Sequence, residues 1–255
     1  MNRFTIFDWQ EKHYIFLKQW LKDNSDQKYK EFQQKIVKTK FPIVGVKMPL
    51  IRKLAAKILE GNAENFLKIC KNQTLEEIIL KGIVISKLKV DFERLLLIFD
   101  EYVNIIDNWA VCDIVTNSLK SFLKNQEKGY KYIKTCINSK NPWKIRVGIV
   151  AMLSFYVNKT YIEKILKHSG KISQNSIIYQ TSANKSCFCD YYVKMANAWL
   201  ISTCFAEFPN ISKKFLESQN IDHETFKMLT RKILDSHKVS ADDKEYIGLL
   251  YKNQH

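Results

Sequence analysis

The chain has 255 residues and carries 41 Lys and Arg against 26 Asp and Glu, a net charge of +15. Seven Gly and four Pro are too few for a β-sandwich, a barrel or a disordered linker. No apolar run approaches the roughly 20 residues of a membrane span, and Met1–Trp9 lacks the basic-then-apolar layout of a secretory signal, so the expectation is a cytoplasmic, all-α protein.

Taken in chain order, the sequence reads as helix after helix with short polar breaks. The first two are expected over 9–23 and 26–38. Gly45 and Pro49 introduce a third over 49–60, with Leu50, Leu54 and Ile58 on one stripe. Thr74 and Glu77 stand at capping-box spacing before 75–89. Asp91 can cap 92–106, and Asp107 or Asn108 can cap 109–124. The next helix covers 126–138. Asn141-Pro142 opens 142–157, with Asn as cap and Pro in the first helical position. Helices over 159–168, 189–206, 210–218, 223–237 and 241–252 complete the series, the last behind Ser240. The polar stretch 169–187 reads as a loop with a short helix at 174–180. Pairs recur every 35–45 residues or so, which suggests HEAT-like repeats forming a curved solenoid in a single domain, 1–255. An irregular helical bundle is the alternative architecture.

The six cysteines are Cys70, Cys112, Cys136, Cys187, Cys189 and Cys204. Only Cys187 and Cys189 are close, as C-x-C, and no second pair stands at zinc-ligand spacing. Reduced, mostly buried thiols are expected, with a redox or metal role for the C-x-C pair as the alternative, and no metal or other cofactor is assigned. The charge suggests a polyanionic partner. A chain rich in Lys, Asn and Ile can also reflect composition alone. Only Arg3, Arg52, Arg94, Arg146 and Arg231 are arginines, so a retained guanidinium invites a specific explanation.

Two positions invite chemistry. On helix 109–124 the core stripe is Val111, Ile114, Val115, Ser118, Leu119 and Phe122. Trp109, Asp113, Thr116, Asn117 and Lys120 fall on the other side. Trp109 and Asp113 are i, i+4 neighbours, either a covered indole beside a surface charge or an aromatic platform edged by an anion. Arg146 lies on an otherwise apolar stripe with Pro142, Val150, Leu153 and Val157. A guanidinium there must be ion-paired, with Asp113 as a candidate partner, or must face a ligand such as phosphate. Trp199 shares a stripe with Tyr192, Met195 and Ala196.

Four segments, Gly45-Val-Lys-Met-Pro49 with Arg52, Asn108-Trp-Ala-Val-Cys-Asp113, Trp143-Lys-Ile-Arg146 and Asp190 to Trp199, occur in the order and spacing of one family. Over about residues 10–250 the chain resembles the AlkD-type DNA alkylation repair glycosylases. The resemblance implies HEAT-like repeats with a basic concave face, and a monomer that excises N3- and N7-alkylated purines from double-stranded DNA in base excision repair. It implies Asp113 as the catalytic carboxylate, Trp109 and Trp199 as aromatic walls and Arg146 as the basic partner. Lys47, Lys144, Lys194 and Tyr192 fall where DNA contacts are expected, and Ile36 where some members carry a Tyr. Two other readings stand beside it: a non-catalytic relative that binds distorted or branched DNA, and a helical protein-binding scaffold.

Overall fold

The structure, a computed structural model, describes residues 2–181, 188–218 and 221–254. Every regular element among them is helical, and an isolated bridge between Ser25 and Val46 is the one β-type pairing. No described helix is long and apolar enough to cross a membrane. The chain, expected as a single domain, divides into two compact units, Met1–Gln126 and Glu127–His255.

The first unit contains α1 (Glu11–Asp23), α2 (Gln27–Ile36), α3 (Met48–Glu60), α4 (Ala63–Ile69), α5 (Leu75–Ser86), α6 (Phe92–Val103) and α7 (Trp109–Ser118). Helix α5 is apolar almost all round, and such a helix belongs at a centre. It packs against α3 on one side and α7 on the other, with α6 beside it. Gly82 permits the close approach: a Cβ there would stand 2.5 Å from both the Tyr102 hydroxyl and Val115 Cγ2. The caps anticipated at Thr74 and Asn108 accept from Glu77 N and Val111 N, while Asp91 makes no side-chain cap bond.

Two readings need correction in this unit. Helix α4 was not anticipated: its seven residues are too few for a periodic signal, and Asn62 caps it through Asn65 N. The helix expected over 109–124 stops at Ser118 and continues as a 3-10 turn, Lys120–Leu123. Ser118 Oγ donates back to the Ile114 carbonyl at 2.7 Å, and the turn carries Leu119 and Phe122 into the core.

The second unit contains α8 (Gln126–Ile137), α9 (Pro142–Phe155), α10 (Ile162–Thr181), α11 (Phe188–Glu207), α12 (Pro209–Ser218), α13 (His223–Leu234) and α14 (Ala241–Gln254). Helix α11 is its hub and packs against α9, α13, α10 and α12. Asn141 caps α9 through Trp143 N and Lys144 N, with Pro142 in the first helical position as expected. Packing of alternate helices, α3–α5–α7 in one unit and α9–α11–α13 in the other, is the pattern of a two-helix repeat.

The loop expected over 169–187 is a continuation of α10 as far as Thr181; residues 182–187, including Cys187, lie outside the described residues. Two of the polar side chains that suggested a loop, Ser169 and Ser173, are buried partners. Ser169 Oγ donates to Asn197 Oδ1 at 2.6 Å, and Asn197 Nδ2 returns a bond to the Ser169 carbonyl. Ser173 Oγ donates to Asp222 Oδ2 and accepts from Asp222 N. Cys70, Cys112, Cys136 and Cys204 are buried free thiols, and burial pushes Cys70 and Cys204 up to about 12.

Candidate nucleic-acid interface

Asn108 starts α7 and so sets where its first turn points. Its Oδ1 accepts from Val111 N at 3.0 Å, its Nδ2 donates to Asp107 Oδ1 at 2.8 Å, and the residue is 1% exposed. Asp107, the alternative cap, instead accepts from Thr39 Oγ1 and Lys40 N. Trp109 follows, half-buried, with Nε1 donating to the Ile36 carbonyl at 3.2 Å. The start of α7 is thereby tied to the end of α2 and the residues just after it, and the indole is held by its polar edge. Asp113 is one turn on, partly exposed. Thr116, assigned to the polar side of the wheel, is fully buried instead.

The segment before α3 is pinned from its other end by an acid that sequence reasoning missed. Glu76, 1% exposed, accepts from Val44 N, Gly45 N and Val46 N at 3.0, 2.7 and 3.3 Å. Gly45 sits at φ +98° with its carbonyl accepting from Asp26 N, and a Cβ there would press on Lys30 Cβ at 2.6 Å. The loop delivers Lys47 to the start of α3, exposed and 2.6 Å from Asp26. That contact holds the Asp26 carboxyl below its ordinary range. No local signal marks Glu76, because acids in a first helical turn usually answer the helix dipole in solvent.

In the second unit Arg146 is buried at 4% exposure, as its apolar stripe required. Its Nη1 donates to the Tyr192 carbonyl at 2.5 Å, and the guanidinium carbon lies 5.9 Å from the centre of the Tyr192 ring. Trp143 packs on the same ring, with centroids 5.4 Å apart. Lys144 is partly exposed one residue on, and Trp199 is half-buried two turns along α11 from Tyr192. The structure thus brings Lys144, Arg146, Tyr192 and Trp199 onto two packed helices.

Lys194 lies elsewhere than expected. It is 2% exposed, its ammonium 2.6 Å from Glu224 and 3.9 Å from Asp222, so it is occupied by acids and shielded from phosphate. Conversely, Lys232 on α13 went unnoticed in the sequence. Burial first, and then the charge of Arg146, pull its pKa below the ordinary lysine range, against the opposing Asp235. Two cations held near one another favour an anion beside them.

These elements offer two chemistries. A carboxylate one turn from an anchored indole can face a flat cation, and Arg146 and Lys232 bring two positive charges near one another. Among the described residues no group of three or more His, Cys, Asp and Glu could hold a metal ion. No curated protein and no solved structure matches the chain significantly. The family model described as DNA alkylation repair enzyme matches residues 17–233, which includes α7, α9, α11 and both ends of the Glu76-braced loop. The chain belongs to the DNA alkylation repair enzyme family.

Proposed function

We propose that this protein is a monofunctional DNA glycosylase that hydrolyses the N-glycosidic bond of N3- and N7-alkylated purines. The observation that carries the reading is the α7 pair. Trp109 is anchored at its indole nitrogen, and Asp113 is placed one helical turn away on a helix whose start is fixed. Alkylation at N3 or N7 makes the purine cationic. An indole face favours such a ring by about 1–2 kcal/mol when desolvated. The C1′–N bond then breaks with its electron pair passing to the purine, which leaves neutral. Positive charge develops on the sugar, where a preorganised carboxylate stabilises it most. Water adds at C1′, oriented by Asp113, and gives up its proton to solvent.

The second unit supplies the grip in this reading. Arg146 and Lys232 take a backbone phosphate, Lys144 and Tyr192 add to the contact, and Trp199 offers an aromatic face on the same helix as Tyr192. Lys47 meets the backbone from the first unit.

Asp113→Asn tests the proposal. Release of 3-methyladenine and 7-methylguanine from methylated DNA should fall at least ~100-fold, as with loss of a major electrostatic contributor, while duplex affinity stays equal or rises. Unchanged release would remove Asp113 from the chemistry. Binding without release by the wild-type chain would leave a non-catalytic DNA-binding member of the family.

A further inference from the structure

Positive charge is not spread evenly along the chain. Residues 126–171 hold ten Lys and Arg against two acids, Glu127 and Glu163, giving +8 of the total +15. Only Lys144 and Arg146 of these belong to the interface described above. The remaining cations lie on α8, α10 and their connections.

Side chains from α8 and α10 meet around one histidine. His168 lies 5.8 Å from Tyr130 of α8, ring to ring, and Tyr130 lies 5.0 Å from Tyr161. Lys134 stands over the Tyr130 ring at 5.8 Å and Lys164 over the Tyr161 ring at 5.3 Å. Burial lowers the His168 pKa, and Lys171, Lys134 and Lys167 lower it further, so three ammonium groups from two helices bear on one imidazole. Lys134, Lys164, Lys167 and Lys171 are all exposed. Lys164, Lys167 and Lys171 fall at i, i+3 and i+7, on one face of α10.

This face is separate from Arg146. Helix α8 packs onto α9 at Gly148, where a Cβ would come within 2.8 Å of Ile137 Cγ2 and 3.0 Å of Cys136 Cβ. Gly148 and Arg146 are two residues apart, which on an α-helix is about 200° of rotation. Thus α8 covers the side of α9 that faces away from the guanidinium.

We propose that the α8–α10 face is a second nucleic-acid contact, in which Lys134, Lys164, Lys167 and Lys171 bind duplex phosphates while Tyr130 and His168 support the lysine stems. The inference rests on the reading of the protein as one that acts on DNA. A membrane surface fits less well: the large exposed apolar side chains among the described residues, such as Phe7, Leu97 and Leu249, all lie outside 126–171. A basic helix without an apolar face lacks the anchor that membrane association needs.

The test compares two triple variants of the full chain, each losing three exposed charges: Lys134→Gln/Lys167→Gln/Lys171→Gln, and Lys12→Gln/Lys22→Gln/Lys87→Gln as control. Binding of an unmodified 30-base-pair duplex is measured against salt. The first variant should flatten the slope of log K against log salt by about 2–3, since each phosphate contact contributes about 0.9. The control should keep the wild-type slope. The wild-type His168 pKa, followed by NMR, should rise when the duplex binds. Excision under saturating single-turnover conditions should be the same in all three proteins. Equal slopes in the two variants, or a His168 pKa indifferent to the duplex, would overturn the proposal. Loss of base release in every protein with the slope difference intact would defeat the glycosylase reading alone. A wild-type chain with no duplex affinity would defeat both.

Discussion

Among the described residues, the two units bury charge of opposite sign and use it differently. There the buried charged residues of the first unit are acids, Glu76 and Glu77, and those of the second are cations, Arg146 and Lys194. Glu76 is satisfied by backbone amides, and Glu77 Oε2 by Gln73 N and the Tyr14 hydroxyl. These partners cannot ionise near neutrality; burial and the Glu77 charge push the Tyr14 hydroxyl well above its ordinary range. The acids therefore act as fixed staples for loop backbone. Lys194 is neutralised by Glu224, which is exposed, and by Asp222, so its partnership reaches the surface. Buried acids shape the first unit's loop from inside, whereas the second unit places one cation in a structural pair and another, Arg146, beside an aromatic cluster.

If this contrast holds, Glu76→Ala produces the largest effect. It strands three backbone amides in a place that water reaches poorly, at a cost of about 1–3 kcal/mol for each group left unpaired. A total near 4 kcal/mol is expected in urea unfolding, a large share of the 5–15 kcal/mol typical of a folded domain. Glu76→Gln keeps one carbonyl acceptor and should cost less than half of that. Equal and small effects would show that the Gly45 loop holds itself.

Lys194→Met should cost less, about 1–2 kcal/mol, although removing one partner of a buried pair often costs 3–5. The discount has a structural reason. Glu224 can rehydrate, and Asp222 keeps Ser173 and its cap bond to Thr225 N at 3.0 Å. The methionine also conserves volume. Duplex affinity should be unchanged, because the ammonium is enclosed. A Lys194→Met variant with weakened DNA binding and normal stability would return this lysine to the interface.

The helices were legible where a cap and a stripe coincided, as at Thr74, Asn108 and Asn141. Arg146 was legible for the opposite reason, as a charge that broke an apolar stripe. Lys194 and the serines of α10 misled because the same polar residues serve solvent and buried networks equally. What decides between them is a partner 28 or more residues away, Asn197 for Ser169 and Glu224 for Lys194. Glu76 was invisible on the same ground: its partners are backbone amides about 30 residues earlier, and backbone carries no sequence signature. Long-range pairing is the part of a fold that periodicity does not encode.

The smallest effect on stability falls at the junction of fold and chemistry. Asn108→Ala removes the side-chain acceptor for Val111 N, and losing such a cap costs about 1 kcal/mol. In a chain of this size that is roughly 2–4 °C in Tm. The same asparagine also holds Asp107, which in turn holds Thr39 and Lys40 beside the Ile36 carbonyl that anchors Trp109. Loosening it shifts the indole and the Asp113 carboxylate together, since both ride on the first turns of α7. Misplacement of about 1 Å can cost on the order of 100-fold in rate, far more than the loss of stability would suggest. Base release under single-turnover conditions should therefore fall by at least tenfold while the duplex Kd changes little. A fall in rate no larger than the fraction of unfolded chain would mean that α7 keeps its register without the cap, and that the indole nitrogen's bond to Ile36 is what positions the pair.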